Sequence, residues 1–183
     1  LNFKGIFKTA TAPSIIICSY NRCQNLPDCF SCLEKQVITD PIQWEVLLVD
    51  NNSTDNTKQV TEDFNQSSSL NIRYIFEQKQ GLSYARNRGI NEAKGTYLMF
   101  IDDDIRVTEN WLQSIYSTFK QYDCDAVGGR IHIESPNKLP PWITPDMYVF
   151  WDTRTLEQSF IKWTASKSFH LVAIWLFTAA LLI

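Results

Sequence analysis

The chain has 183 residues, 44% of them hydrophobic and 20% charged, with a formal net charge of −3. That length suits one domain with a real core, and the apolar content excludes disordered, collagen-like or low-complexity material. With 17 basic residues against 20 acidic ones there is no electrostatic footprint for nucleic acid, so a phosphate-bearing partner must be held by a metal ion or by local N–H groups.

Ser14 to Ser19 (SIIICS) follows Pro13 and reads as a fully buried strand. A helix is predicted from about Asn25 to Gln36, with Leu26, Phe30 and Leu33 at helical spacing and Pro27 tolerated in its first turn. Trp44 to Val49 (WEVLLV) is a second buried strand, ending at Asp50. The polar stretch NNSTDN then leads into a helix through Val60 and Phe64. Asn71 to Phe76 makes a third strand. From Gly81, the residues Leu82, Ala85, Gly89, Ile90 and Ala93 share one helix face, and Gly95 is expected to close that helix. Thr96 to Ile101 (TYLMFI) is a fourth strand running straight into Asp102, Asp103 and Asp104. Thr108 is the expected cap of a helix carrying Trp111, Leu112, Ile115, Tyr116 and Phe119, and a fifth strand is expected over Ala126 to Ile133. Strands that are apolar throughout, alternating with helices, predict an α/β fold: a mostly parallel sheet with helices on both faces.

Four of the five cysteines (Cys18, Cys23, Cys29, Cys32) lie close together without a partner Cys or His pair at zinc-finger spacing. They read as reduced thiols packing as small apolar residues, which places the chain in a reducing, cytoplasmic compartment. The organisation expected is an N-terminal extension over 1–12, a core over 13–134, a proline-containing partial segment over 135–168 and an apolar tail over 169–183. In the tail, FHLVAIWLFTAALLI, only His170 and Thr178 are polar. It is shorter than the ~20 residues needed to cross a bilayer. It reads as the start of a membrane helix, a buried helix or an aberrant ending, so membrane association stays open. The expectation is a fragment whose C-terminal part is incomplete.

Ligands of open α/β sheets bind beyond the carboxyl ends of the strands. The first strand delivers Ser19, Tyr20, Asn21 and Arg22; the second Asp50, Asn51, Asn52 and Ser53; the fourth the aspartate triplet. No glycine lies between Gly5 and Gly81, which excludes a G-x-G-x-x-G loop in the first turn, and neither a P-loop nor a G-x-S-x-G elbow occurs. Three adjacent carboxylates at the end of a buried strand repel one another, and a hard divalent ion such as Mn²⁺ or Mg²⁺ relieves that cost. A solvated, helix-capping loop is the other reading of the triplet. Asp50 equally suits a turn, and Arg86 an exposed helix face.

In order, SIIICSYNR, WEVLLVDNNSTDNT, EQKQGLSYARNRGINEAKGTYLMFIDDDI, NWL and VGGRI resemble the family 2 glycosyltransferases of the GT-A group over roughly residues 13 to 133. Within that family the chain looks most like bacterial enzymes of surface-polysaccharide assembly. The resemblance implies a GT-A fold and sugar transfer, with inversion, from a nucleoside diphosphate sugar, chiefly a UDP-sugar, to a saccharide or lipid-linked acceptor. It places Ser19, Tyr20 and Arg22 along the nucleotide, Asp50 at the base with Asn52 and Ser53 shaping its pocket, and Arg86 beside the nucleotide or its diphosphate. Asp102 and Asp104 match the D-x-D motif, Asp102 toward the ribose and metal and Asp104 on the metal, with Asp103 in the variable middle position and counted with the nucleotide-binding residues. The family's general base has no counterpart here: Glu134, Asp146, Asp152 and Glu157 are not flanked as that base is. A non-catalytic nucleotide-binding module, or an inactive fragment, is therefore the alternative.

Overall fold

The computed structural model describes residues 12–122, 124, 126–129, 144, 160–161 and 170–173, the last two segments as strand backbone. The β-branched run after Pro13 forms β1 (Pro13–Ser19), in which Ile15, Ile16 and Ile17 are all fully buried. Each such side chain contributes about 1.5–3 kcal/mol of burial energy, and burial on both faces explains why the run shows no polar alternation. Helix α1 (Leu26–Glu34) buries Leu26, Cys29, Phe30 and Leu33 and carries Pro27 in its first turn. Then follow β2 (Glu45–Asp50), α2 (Thr57–Ser67), β3 (Ile72–Phe76), α3 (Leu82–Glu92), β4 (Tyr97–Asp102), α4 (Trp111–Gln121), β5 (Ala126–Val127), β6 (Phe160–Ile161) and β7 (His170–Ala173).

The strands form one sheet in the order β3-β2-β1-β4-β7-β5-β6, and all described pairs are parallel except β5 with β6. Alternate strand residues feed two cores. Ile15, Ile17, Val46, Leu48, Met99 and Ile101 face α1, α2 and α4. Ile16, Leu47, Val49 and Leu98 face α3 through Ala85 and Ile90. Helices thus cover both faces, as the strand pattern predicts. Strand order reverses beside β1, because β2 follows β1 on one side and β4 joins it on the other. In such sheets the crevice beyond the carboxyl ends at that point is where ligands lie.

Several local expectations change. The 3.6-residue face that starts at Gly81 stops at Glu92, where Ala93 turns extended (ψ 137°). Gly95 does a different job: its N–H donates to Ser14 Oγ at 2.8 Å, and a Cβ there would collide with the Ala12 carbonyl oxygen. Thr108 is not the cap of α4; Asn110 holds that position, and the Leu112 N–H is satisfied from afar by Gln36 Oε1 at 2.9 Å. Gln36 lies just beyond α1 rather than within it, and its amide also donates to the Thr108 carbonyl at 2.7 Å. In the apolar tail, residues 170–173 are not helical: His170–Ala173 pair in parallel with β4. A short apolar run has no periodicity that separates a doubly buried strand from a buried helix. Among the described residues no helix is long and apolar enough to cross a membrane. The rest of the tail, the segment 1–11, most of 135–168, the expected strand residues 130–133 and the four carboxylates weighed as bases lie outside the described residues. The five cysteines form no disulfide among the described residues.

Candidate active site

The loops after β1 and β2 are laced together at the strand ends. Asn21 and Asn52 both adopt left-handed backbone (φ 52° and 64°), a conformation that asparagine tolerates better than most residues. The Asn21 N–H donates to Ser53 Oγ at 2.9 Å, and the Asn21 carbonyl oxygen of the side chain accepts the Thr54 N–H at 2.7 Å. Asp55 accepts the Cys23 N–H at 2.9 Å and both the N–H and hydroxyl of Thr57. Burial pushes the Asp55 carboxyl upward, but the bonds from Thr57 and Cys23 outweigh it and hold it below its usual 3.8. A lowered folded value means stability that is present above the unfolded value and lost as pH falls through the folded one. Asp55→Asn is therefore expected to cost roughly 1 kcal/mol near neutrality, like loss of other helix-start acceptors. That difference from the parent should shrink below about pH 4, as urea unfolding across the acidic range would show.

Asp50 ends β2 only 3% exposed. Its Oδ1 accepts the Ser53 N–H at 2.9 Å and its Oδ2 the Tyr74 hydroxyl at 2.6 Å. Each oxygen keeps a second lone pair for a ligand. Burial and this bond push the Tyr74 hydroxyl above its usual range. Asn51, also buried, uses its whole side chain to hold the approach to α3: Nδ2 donates to the Lys79 carbonyl at 2.8 Å and Oδ1 accepts the Gly81 N–H at 2.7 Å. Tyr74 and Asn51 are positioning residues that the candidate list drawn from sequence omits. Tyr74 lies on β3, with no sequence signal linking it to Asp50; Asn51 stands inside the polar cluster with nothing in the sequence to separate it from a turn residue.

The aspartate triplet crosses the switch point. Asp103 is 2% exposed; its Oδ2 accepts Ser19 Oγ at 2.7 Å and its Oδ1 accepts Arg22 Nη1 at 3.1 Å. Arg22 Nη2 donates to Asp104 Oδ2 at 3.0 Å. Arg86, from α3, approaches Asp102 Oδ1 at 3.9 Å. The structure thus gathers Ser19, Arg22, Asp102, Asp103 and Asp104 at one place, with Arg86 against Asp102, while Asp50, Asn52 and Ser53 line the adjoining β2 end and Tyr20 stands exposed beside them. Burial is the main reason that both Asp102 and Asp103 lie above the usual carboxylate range; Arg86 opposes it at Asp102, and Ser19 and then Arg22 oppose it at Asp103. Asp104 Oδ1 is buried with no hydrogen-bond partner. Among the described residues no group of three or more His, Cys, Asp or Glu side chains is arranged to hold a metal ion by itself. A hard ion that takes one or two carboxylates plus substrate phosphates does not need one, and the orphaned Asp104 oxygen fits such an ion.

A mostly parallel sheet covered on both faces, with an acidic, arginine-bridged crevice at its switch point, defines a Rossmann-like domain with its candidate site at the strand ends. The chain belongs to glycosyl transferase family 2, whose family model matches residues 14–177. Among similar proteins, AglE of Haloferax volcanii, a glycosyltransferase, is 31% identical over 89% of this chain and 53% of its own length. The glycosyltransferase GlyG of Streptococcus pneumoniae is 32% identical over 65% of this chain and 38% of its length. The chain spans about half the length of AglE and less of GlyG. A crystal structure of S. aureus TarS 1-349 in complex with UDP superposes with a TM-score of 0.60 at 23% identity, covering 70% of this chain and 38% of that one. The mannosyltransferase PcManGT from Pyrobaculum calidifontis, in complex with GDP-Man and Mn²⁺, gives 0.54 at 17% identity, with 70% and 39% covered. At these identities the two structures bear on the fold, which is of GT-A type.

Proposed function

We propose that this chain is the donor-binding part of a glycosyltransferase that moves a sugar from a nucleoside diphosphate sugar, most simply a UDP-sugar, to a saccharide or lipid-linked acceptor of surface-polysaccharide assembly, with inversion, on the cytoplasmic side. The observation that carries the reading is the aspartate triplet at the switch point, with one buried oxygen of Asp104 left unpaired. Complexes of structural neighbours with UDP and with GDP-Man support a nucleotide sugar as the ligand class.

The nucleoside would lie over the β1 and β2 ends. There Asp50, oriented by Tyr74 and Ser53, has lone pairs for base N–H groups, and Asn52 and Ser53 shape the pocket. Tyr20, exposed beside the turn, would flank the base. Asp102 would meet the ribose, and Asp102 with Asp104 would hold a divalent ion, Mn²⁺ or Mg²⁺. That ion supplies Lewis-acid stabilisation of the departing diphosphate. Arg86 and Arg22 add charge-assisted donors to phosphate oxygens. Inverting transfer also needs a carboxylate to take the acceptor hydroxyl's proton, and Glu134, Asp146, Asp152 and Glu157 lie outside the described residues.

Calorimetric titration of the full chain with UDP and with GDP, each with and without Mn²⁺, tests the proposal. UDP binding that Mn²⁺ strengthens supports it. A folded chain that binds neither nucleotide in either condition overturns it.

A further inference from the structure

We infer that Arg22 is a placeholder cation: its guanidinium occupies Asp104 until a divalent ion takes that carboxylate, and the released arm then pairs with the donor's diphosphate. This rests on the donor-site reading above and extends it to the order in which charges replace one another.

The geometry separates what is fixed from what can move. The backbone around Arg22 is pinned on both sides, by Asn21 to Ser53 and Thr54, by Cys23 to Asp55, and by the Asn25 N–H on the Arg22 carbonyl at 3.0 Å. Its side chain, by contrast, is 40% exposed, so the guanidinium has a path into water. Of its two carboxylate partners, Asp103 is bonded through both oxygens: one takes Ser19 and the other takes Arg22. Asp104 is not. Arg22 holds only Oδ2, and Oδ1 is buried without a donor. A divalent ion arriving at Asp104 thus finds one oxygen vacant and the other screened by a monodentate guanidinium arm. Asp103 remains the hinge to which the other arm is tied.

Charge balance gives the exchange its direction. Arg22 and Arg86 face three carboxylates, which leaves one uncompensated negative charge when all three are ionised. A divalent ion turns that into one excess positive charge. With Arg22 displaced from Asp104, the surplus is matched only by an anionic ligand. Cation binding to the free protein is therefore opposed by the loss of the Arg22–Asp104 contact. When a nucleoside diphosphate is present, the phosphate re-pairs the guanidinium and removes that penalty. By linkage, nucleotide and metal must then strengthen each other's binding equally, and Arg22 carries part of this coupling.

The test measures free Mn²⁺ by electron paramagnetic resonance in titrations of the full chain, Arg22→Lys and Arg22→Gln, each with and without UDP, with circular dichroism to confirm folding. Without nucleotide, Arg22→Gln is expected to bind Mn²⁺ about tenfold more tightly than the parent, the scale of one charge-assisted bond to a buried carboxylate. Arg22→Lys keeps the charge but loses the two-armed fork, and should bind Mn²⁺ more tightly than the parent by a smaller factor. In both variants the enhancement of Mn²⁺ binding by UDP should fall. Tighter binding by Arg22→Gln alone, with Arg22→Lys equal to the parent, would mean that only net charge matters and overturns the inference. So does an unchanged or weaker Mn²⁺ affinity in Arg22→Gln. If the parent binds UDP and Mn²⁺ cooperatively while the variants leave Mn²⁺ affinity unchanged, the placeholder role fails and the donor site stands. If a folded parent binds neither, both readings fall.

Discussion

Replacing Asp104 by alanine is expected to abolish the part of UDP binding that depends on Mn²⁺ while leaving the fold as stable as before. The two halves of that expectation have separate causes. Asp104 is the member of the triplet with an unpaired buried oxygen, so the loss falls on whatever ligand that oxygen is kept for. Losing a metal ligand weakens affinity by more than the roughly 10–100-fold typical of outer-shell partners. In the free protein the same carboxylate raises Asp102 and Asp103 by repulsion, so removing it relieves strain that offsets the lost Arg22 contact. Calorimetry with and without Mn²⁺, paired with thermal unfolding, separates the outcomes. Lost metal-dependent binding with unchanged or higher melting identifies a functional carboxylate. Retained metal-dependent binding would move the assignment elsewhere in the triplet. Asp103 is the poorer substitute, since each of its oxygens already accepts a hydrogen bond, from Ser19 and from Arg22, whereas one oxygen of Asp104 accepts none.

That distinction between Asp103 and Asp104 is a good measure of what sequence alone conveys. The triplet's position at a strand end follows from TYLMFI being apolar up to Asp102, and the parallel sheet follows from strands lacking alternation. Both are local patterns, legible because hydrophobic periodicity reports burial directly. Which carboxylate turns inward depends on contacts between residues more than eighty positions apart, Ser19 with Asp103 and Arg22 with Asp104. The same holds for Gln36, which satisfies an N–H of α4 from 76 residues away and displaces Thr108 from the role its residue type suggests. The roles of Tyr74 and Asn51 are hidden for that reason also: Tyr74 acts on Asp50 from 24 residues away and Asn51 on Gly81 from 30. Residues 170–173 illustrate a different limit. A run this apolar satisfies a buried strand, a core helix or a membrane segment equally well, and for these four residues only the pairing with β4 distinguishes them.

Gly89→Ala is expected to destabilise the chain, and to do the opposite once Ile16 is also alanine. Alanine is favoured over glycine within a helix by about 1 kcal/mol, so on propensity alone the change in α3 should stabilise. The obstacle is steric. A Cβ at position 89 would collide with the Ile16 side chain and lie 3.3 Å from Val49 Cγ2, both on central strands. Ile16 is fully buried and β-branched, with no room to turn aside, so the added methyl must lift α3 away from the sheet. Overpacking of this kind costs about 1–3 kcal/mol, enough to outweigh the propensity gain. Ile16→Ala alone should cost about 2–5 kcal/mol through the cavity it opens beneath the helix. In that background the alanine methyl at 89 fills part of the space, and the substitution should now stabilise by up to about 1 kcal/mol. Urea unfolding of the four proteins reads the reversal of sign, and a Gly89→Ala that stabilises the parent would show that α3 does not ride on Ile16. The consequence reaches the site, because α3 carries Arg86 to Asp102. A helix lifted at Gly89 moves that guanidinium away from the crevice, so Gly89→Ala should weaken UDP binding beyond its effect on folding. The double variant, with the close approach restored, should recover much of the loss.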